Sequence, residues 1–176
     1  SADVGSAELK MQQQKQRRAW VTGAGKGIGR AVALRLAGQG WIVAASARTE
    51  ADLMTLAAAV PANAGHVVAY QLDMTDATAV AEAVARIEAE LGPLDLVLLN
   101  AGTHRPISAG DFDLAALRQL VDVNLMGTAY GLAAVMPRFM ARRAGQIAVV
   151  ASVAGYRGLP TAAGYGATKA ALINMC

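Results

Sequence analysis

An α/β fold built on a doubly wound parallel sheet is the class that this 176-residue sequence predicts. Three observations predict it. Short β-like runs alternate with segments of helical periodicity, a pattern that argues for a parallel sheet covered by helices on both faces. A glycine-rich turn, Thr22-Gly23-Ala24-Gly25-Lys26-Gly27-Ile28-Gly29, joins the first run to the first helical segment. The run at 94–99 is apolar almost throughout, as a strand buried on both faces must be.

The elements follow in order. Residues 19–22 form a strand, 28–37 a helix, 41–46 a second strand, 50–59 a second helix and 66–72 a third strand. From Asp76 onward Val80, Val84, Ile87 and Leu91 recur at spacings of four, three and four, one face of a helix that Asp76 caps. Residues 94–99 are the fourth strand. A long helical region spans 111–142, with a bend expected near Pro137, where the ring removes a helical hydrogen bond. Residues 146–151 are the fifth strand, and a last helix begins near Gly164. No linker or repeat interrupts the pattern, so residues 18–176 form one domain, preceded by a flexible tail at 1–17.

Composition narrows the function classes. Hydrophobic residues make up 55% of the chain, enough for a sizeable core, and charged residues only 16%. The net charge of +3 is small, and neither basic cluster (Lys10, Lys15, Arg17 and Arg18; Arg142 and Arg143) is interleaved with aromatics, which argues against a nucleic-acid partner. The one cysteine, Cys176, cannot form an intrachain disulfide, and two histidines without a Cys/His cluster make no metal site. No run approaches the ~20 apolar residues that span a bilayer. A reducing, cytoplasmic setting is expected.

The glycine turn carries the first chemistry. Glycines let the backbone turn tightly and approach a pyrophosphate, and the helix that follows offers its free N–H groups to the anion. The spacing T-G-x-x-x-G-x-G resembles the cofactor signature of the short-chain dehydrogenase/reductase family, with Gly23, Gly27 and Gly29 in the glycine positions and Gly25, Lys26 and Ile28 between them. The resemblance implies a Rossmann-like domain that binds a nicotinamide dinucleotide. An NAD-selective site usually has an acid at the end of strand two. Here Ala47 stands in that place and Arg48 follows; with Lys26 they favour the 2′-phosphate of NADP(H) over NAD(H), unless both cations are only exposed surface side chains.

Three further stretches match the family. Asp73, next to Met74, resembles the position that meets the adenine ring, and can equally cap a loop. Asn100-Ala101-Gly102 resembles the family's N-N-A-G motif, with Leu99 replacing the first asparagine, a change expected to remove a hydrogen bond at the sheet's edge. Tyr165 and Lys169, four apart on a helix, share one face, with Ser152 thirteen residues upstream and Asn124 on the preceding helix. The resemblance makes Asn124, Ser152, Tyr165 and Lys169 catalytic, and gives Tyr165 and Lys169 cofactor contacts as well. Carbonyl reduction leaves negative charge on oxygen, so an acid must supply a proton there. Tyr165 supplies it, an ammonium at Lys169 favours its phenolate form, and Ser152 holds the substrate oxygen. By the same resemblance Lys169 grips the nicotinamide ribose and Asn124 anchors a water leading to Lys169. His104, in the loop after strand four, either lines the substrate entrance or is a plain loop residue.

The resemblance covers residues 19–176 but only about two-thirds of a usual member; two C-terminal strands and a substrate lid are expected to be missing. Two functions follow. One is an NADP(H)-dependent oxidoreductase acting on a carbonyl or secondary alcohol, a 3-oxoacyl reductase among the candidates, and a homo-oligomer (dimer or tetramer) at full length. The other is a truncated, catalytically silent nucleotide-binding or subunit-interaction fragment.

Overall fold

The computed structural model describes residues 16–176. Its order is β1 (Arg18–Thr22), α1 (Gly27–Gly38), β2 (Ile42–Ala47), α2 (Glu50–Ala58), β3 (His66–Gln71), α3 (Ala77–Leu91), β4 (Leu96–Leu99), α4 (Leu114–Leu120), a π-helical turn Val121–Met126, α5 (Gly127–Arg142), β5 (Gln146–Val149), a 3₁₀ turn Val153–Gly155 and α6 (Ala163–Met175). All five strands are parallel, in the order β3-β2-β1-β4-β5. The chain winds outward from β1 to β3, then crosses back to lay β4 against the free side of β1. This reversal opens a crevice beyond the carboxyl ends of β1 and β4, where α/β sheets bind their ligands.

Alternation along β1 divides the core. Ala19 and Val21 face α1 and α2, joining Ala33, Ala37, Leu53 and Leu56; Trp20 faces the other way, among Val80, Val84, Ile87, Val135 and Phe139 of α3 and α5. Both faces of the strand are fully buried, which is why it reads as a continuous apolar run. Asp76 caps α3 as expected, accepting from the Ala79 N–H at 2.9 Å. Asp113 does the same for α4, accepting from the amides of Ala115 and Ala116 at 2.8 and 3.0 Å.

The long helical region departs from its expected form. The helix runs through Pro137, and the break from α geometry lies upstream, at Val121–Met126. The continuous 29-residue segment Leu114–Arg142 also contains an 18-residue window apolar enough (mean hydropathy 1.2) to cross a bilayer by length and composition. No such run was expected. In the fold Val135 and Phe139 pack against the sheet and Leu120 against Ile107 and Ala116, while Leu114, Met126, Met136 and Met140 stay exposed. Of the expected tail, residues 1–15 lie outside the described residues. Arg17 is tethered, its carbonyl accepting from the Ile42 N–H at 3.0 Å and its guanidinium 4.2 Å from the centre of the Trp41 ring.

Candidate active site

Backbone geometry accounts for the glycine turn. Gly23 and Gly27 adopt φ of +64° and +55°, which a side chain disfavours. Gly29 is required by space: a Cβ there would collide with the Gly23 carbonyl oxygen and lie 2.5 Å from Asn100 Nδ2. Lys26 begins α1 with no side-chain cap, so the first N–H groups of the helix stay available to an anion, beside an Ile28 side chain that is itself exposed.

A hydroxyl laces this turn to the end of β4. Thr22 Oγ1 accepts from the amides of Asn100 and Ala101 at 2.9 and 3.1 Å, and donates to the Leu98 carbonyl at 3.3 Å. Asn100 Nδ2 returns the contact, donating to the carbonyls of Thr22 and Gly23 at 3.0 and 3.2 Å. Leu99 stands on a strand that lies between β1 and β5 rather than at a sheet edge, and its side chain is 2% exposed in the core against Gly131. Asn100 and Thr22 together secure the turn.

The next link is Asn124, fully buried in the π-helical turn. Its Oδ1 accepts from the Thr103 N–H at 2.7 Å, while Nδ2 donates to the Thr103 carbonyl at 2.9 Å and to Thr168 Oγ1 at 3.1 Å. Thr168 donates in turn to the Tyr165 carbonyl at 2.7 Å. Asn124 thus pins the loop after Gly102 to the helix that carries Tyr165 and Lys169. A Cβ on Gly102 would lie 3.3 Å from Asn124 Oδ1 and 3.7 Å from Lys169 Nζ, so three of the expected site segments meet at one point.

Lys169 is only 4% exposed. Its ammonium donates to the Val150 carbonyl, just beyond β5, at 2.7 Å and stands 5.7 Å from the centre of the Tyr165 ring. Ser152, two residues after Val150, caps the 3₁₀ turn by accepting from the Ala154 N–H at 3.2 Å. That turn is wedged against α6: a Cβ on Gly166 would lie 2.7 Å from the Ala154 carbonyl oxygen. The His104 ring packs edge-on against Tyr165, with centroids 4.9 Å apart and planes at 80°.

Burial lowers the pKa of Lys169, because desolvation disfavours its charged form. Above that lowered pKa the folded protein sheds a proton that the unfolded chain holds until about pH 10.4. The unfolded state then binds more protons, and stability rises with pH across that window. Urea unfolding of the protein and its Lys169→Met variant should show the parent gaining on the variant as the pH rises toward the ordinary lysine pKa. A difference that stays flat, or narrows, would contradict the burial of the ammonium.

The cleft beside the glycine turn holds the remaining expected cofactor residues: Gly25, Lys26, Arg48, Asp73, Met74, Ala101 and Gly102 all line it. Asp73 Oδ1 accepts from the Thr75 N–H and hydroxyl, both at 2.9 Å, so it closes its own loop while facing the cleft. Met74 is 6% exposed and packs beneath Gly127 and Gly131. Among the lining residues that the sequence reading did not single out is an acid. Asp52, in the first turn of α2, places a carboxylate oxygen 3.5 Å from Lys26 Nζ. Its position was legible in principle, since the helix after β2 begins at the carboxyl end of the sheet, where the cleft lies. Thr103 and Thr168 also escaped notice, and Thr22 was read only as part of the glycine turn; their distant partners reveal what they hold.

The family model for short chain dehydrogenases matches residues 17–176. The chain belongs to that family. The chain is 39% identical over 162 residues to an uncharacterized oxidoreductase of Myxococcus xanthus, covering 92% of this chain and 64% of that protein. It is 36% identical over 162 residues to the 2-dehydro-3-deoxy-L-rhamnonate dehydrogenase (NAD(+)) of a Sphingomonas species, covering 88% and 61% of the two chains. Among solved structures it resembles an alcohol dehydrogenase from the archaeon Thermococcus sibiricus complexed with 5-hydroxy-NADP, with a TM-score of 0.85, 28% identity, and coverage of 92% and 70%. The chain therefore spans less than two-thirds of the length of the two sequence relatives.

Proposed function

We propose that the protein reduces a carbonyl, or oxidises the matching secondary alcohol, at the site formed by Ser152, Tyr165 and Lys169, with NADP(H) preferred. The observation that carries this reading is the buried Lys169 ammonium, which spans the end of β5 and the Tyr165 ring. The cleft fits a dinucleotide: its glycine turn tolerates no Cβ at Gly29, and an uncapped helix N-terminus faces it. Gly23, Gly25, Gly27 and the first turn of α1 would hold the pyrophosphate, Asp73 the adenine side, and Ala101 and Gly102 the path toward Lys169. When bound, the nicotinamide supplies the hydride.

The chain's own groups supply the rest. Ser152 Oγ orients the substrate oxygen by a hydrogen bond. Tyr165 Oη donates its proton to that oxygen as negative charge develops. The Lys169 ammonium stabilises the phenolate left behind. Asn124 acts as a positioning residue through Thr103 and Thr168. The intact set of four favours catalysis over a binding-only role. Exposed Leu114, Met126, Met136 and Met140 along α4 and α5 support a homo-oligomer, and the single cysteine supports a cytoplasmic setting.

The test is cofactor oxidation by the full-length protein with a panel of ketones, aldehydes, sugar acids and 3-oxoacyl thioesters. Turnover of at least one carbonyl class, with kcat/KM higher for NADPH than for NADH, is expected. Failure of every carbonyl with both cofactors would overturn the reading.

A further inference from the structure

We infer that Asp52 is a specificity-determining residue for the 2′ position of the cofactor, acting through Lys26; this rests on the dinucleotide reading of the cleft. Lys26 and Arg48 alone would give a strong claim on a 2′-phosphate. Asp52 alters that balance. Its carboxylate lies 3.5 Å from Lys26 Nζ, and its side chain is 28% exposed whereas that of Lys26 is 83% exposed. Backbone packing fixes it there: a Cβ on Gly25 would meet Asp52 Cβ at 3.0 Å and Ala47 Cβ at 3.3 Å. Ala47, the residue that leaves the end of β2 without an acid, is thus on the same small patch as an acid delivered by the next helix.

The chemistry follows from that placement. A 2′-phosphate entering between Lys26 and Arg48 must compete with Asp52 for the Lys26 ammonium and tolerate a carboxylate beside it. An unphosphorylated ribose meets the opposite situation, since a carboxylate accepts hydrogen bonds from hydroxyls. Asp52 therefore weakens binding of the phosphorylated cofactor and leaves the site open to both forms. Because Lys26 is largely exposed, solvent screens the pair, and the effect is moderate.

Titration calorimetry with 2′,5′-ADP and 5′-AMP, fragments with and without the 2′-phosphate, tests this without any substrate. In the full-length protein, Asp52→Asn should raise the affinity for 2′,5′-ADP relative to 5′-AMP by about 3- to 5-fold. Asp52→Ser, a second neutral replacement, should move the ratio the same way. In a Lys26→Gln background the Asp52→Asn gain should fall to half or less, the coupling that marks the two residues as one unit. A ratio unchanged or lowered in both Asp52 variants would overturn the inference while leaving the dinucleotide site standing. If neither fragment binds the parent protein at millimolar concentration, the dinucleotide reading falls and takes the inference with it.

Discussion

Replacing Tyr165 by Phe should lower kcat by about 10²- to 10⁴-fold, the usual contribution of a positioned acid–base group. The change deletes one oxygen and keeps the ring that packs against His104 and faces Lys169. The Asn124–Thr168 link reaches the helix through the Tyr165 carbonyl, which phenylalanine retains. Cofactor affinity and thermal midpoint should therefore stay near those of the parent. Stopped-flow measurement of cofactor oxidation, with fluorescence titration of NADPH binding, separates the two effects. Equal loss of binding and turnover would mean that Tyr165 has a structural role.

Gly29→Ala should show the opposite balance. The added methyl has nowhere to go: it meets the Gly23 carbonyl and Asn100 Nδ2, both part of the lacing between the glycine turn and β4. Overpacking of this kind costs about 1–3 kcal/mol of stability. Loss of the lacing also moves the turn, and nucleotide affinity should drop about tenfold or more, equivalent to ~1.4 kcal/mol. Gly38→Ala provides the control, because a Cβ there meets no atom within 4 Å. It should be neutral, or stabilising by up to ~1 kcal/mol. Urea unfolding with and without NADPH checks both variants. A Gly29→Ala protein as stable and as tight-binding as the Gly38→Ala control would refute the packing argument.

What the sequence made legible was local. Strands buried on both faces show as apolar runs, and the α3 stripe of Val80, Val84 and Ile87 faces the core because its period is helical. The glycine turn and the Tyr165–Lys169 spacing carry their chemistry in adjacent residues, so they could be found without a fold. The contacts that assemble the site could not. Thr22 meets Asn100 across 78 positions, and Asn124 meets Thr168 across 44. The π-helical turn that carries Asn124 leaves no mark in helical periodicity, whereas Pro137 does, and the expected irregularity was placed there for that reason. Asp52 reads as an ordinary first-turn acid, favourable to any helix N-terminus. Only the fold brings it to Lys26. The bridge between Ile107 and Ala162, which joins the loop after β4 to the segment leading into α6, is equally a product of tertiary structure.

Deuterium tracing tests the central claim most directly. The full-length protein would be incubated with a turned-over carbonyl and NADPH deuterated at both C4 positions, and the alcohol analysed by mass spectrometry. One deuterium on the carbinol carbon, formed at a rate that collapses in the Tyr165→Phe variant, is the predicted result. Alcohol without deuterium, or formed equally fast without the phenol, would contradict it.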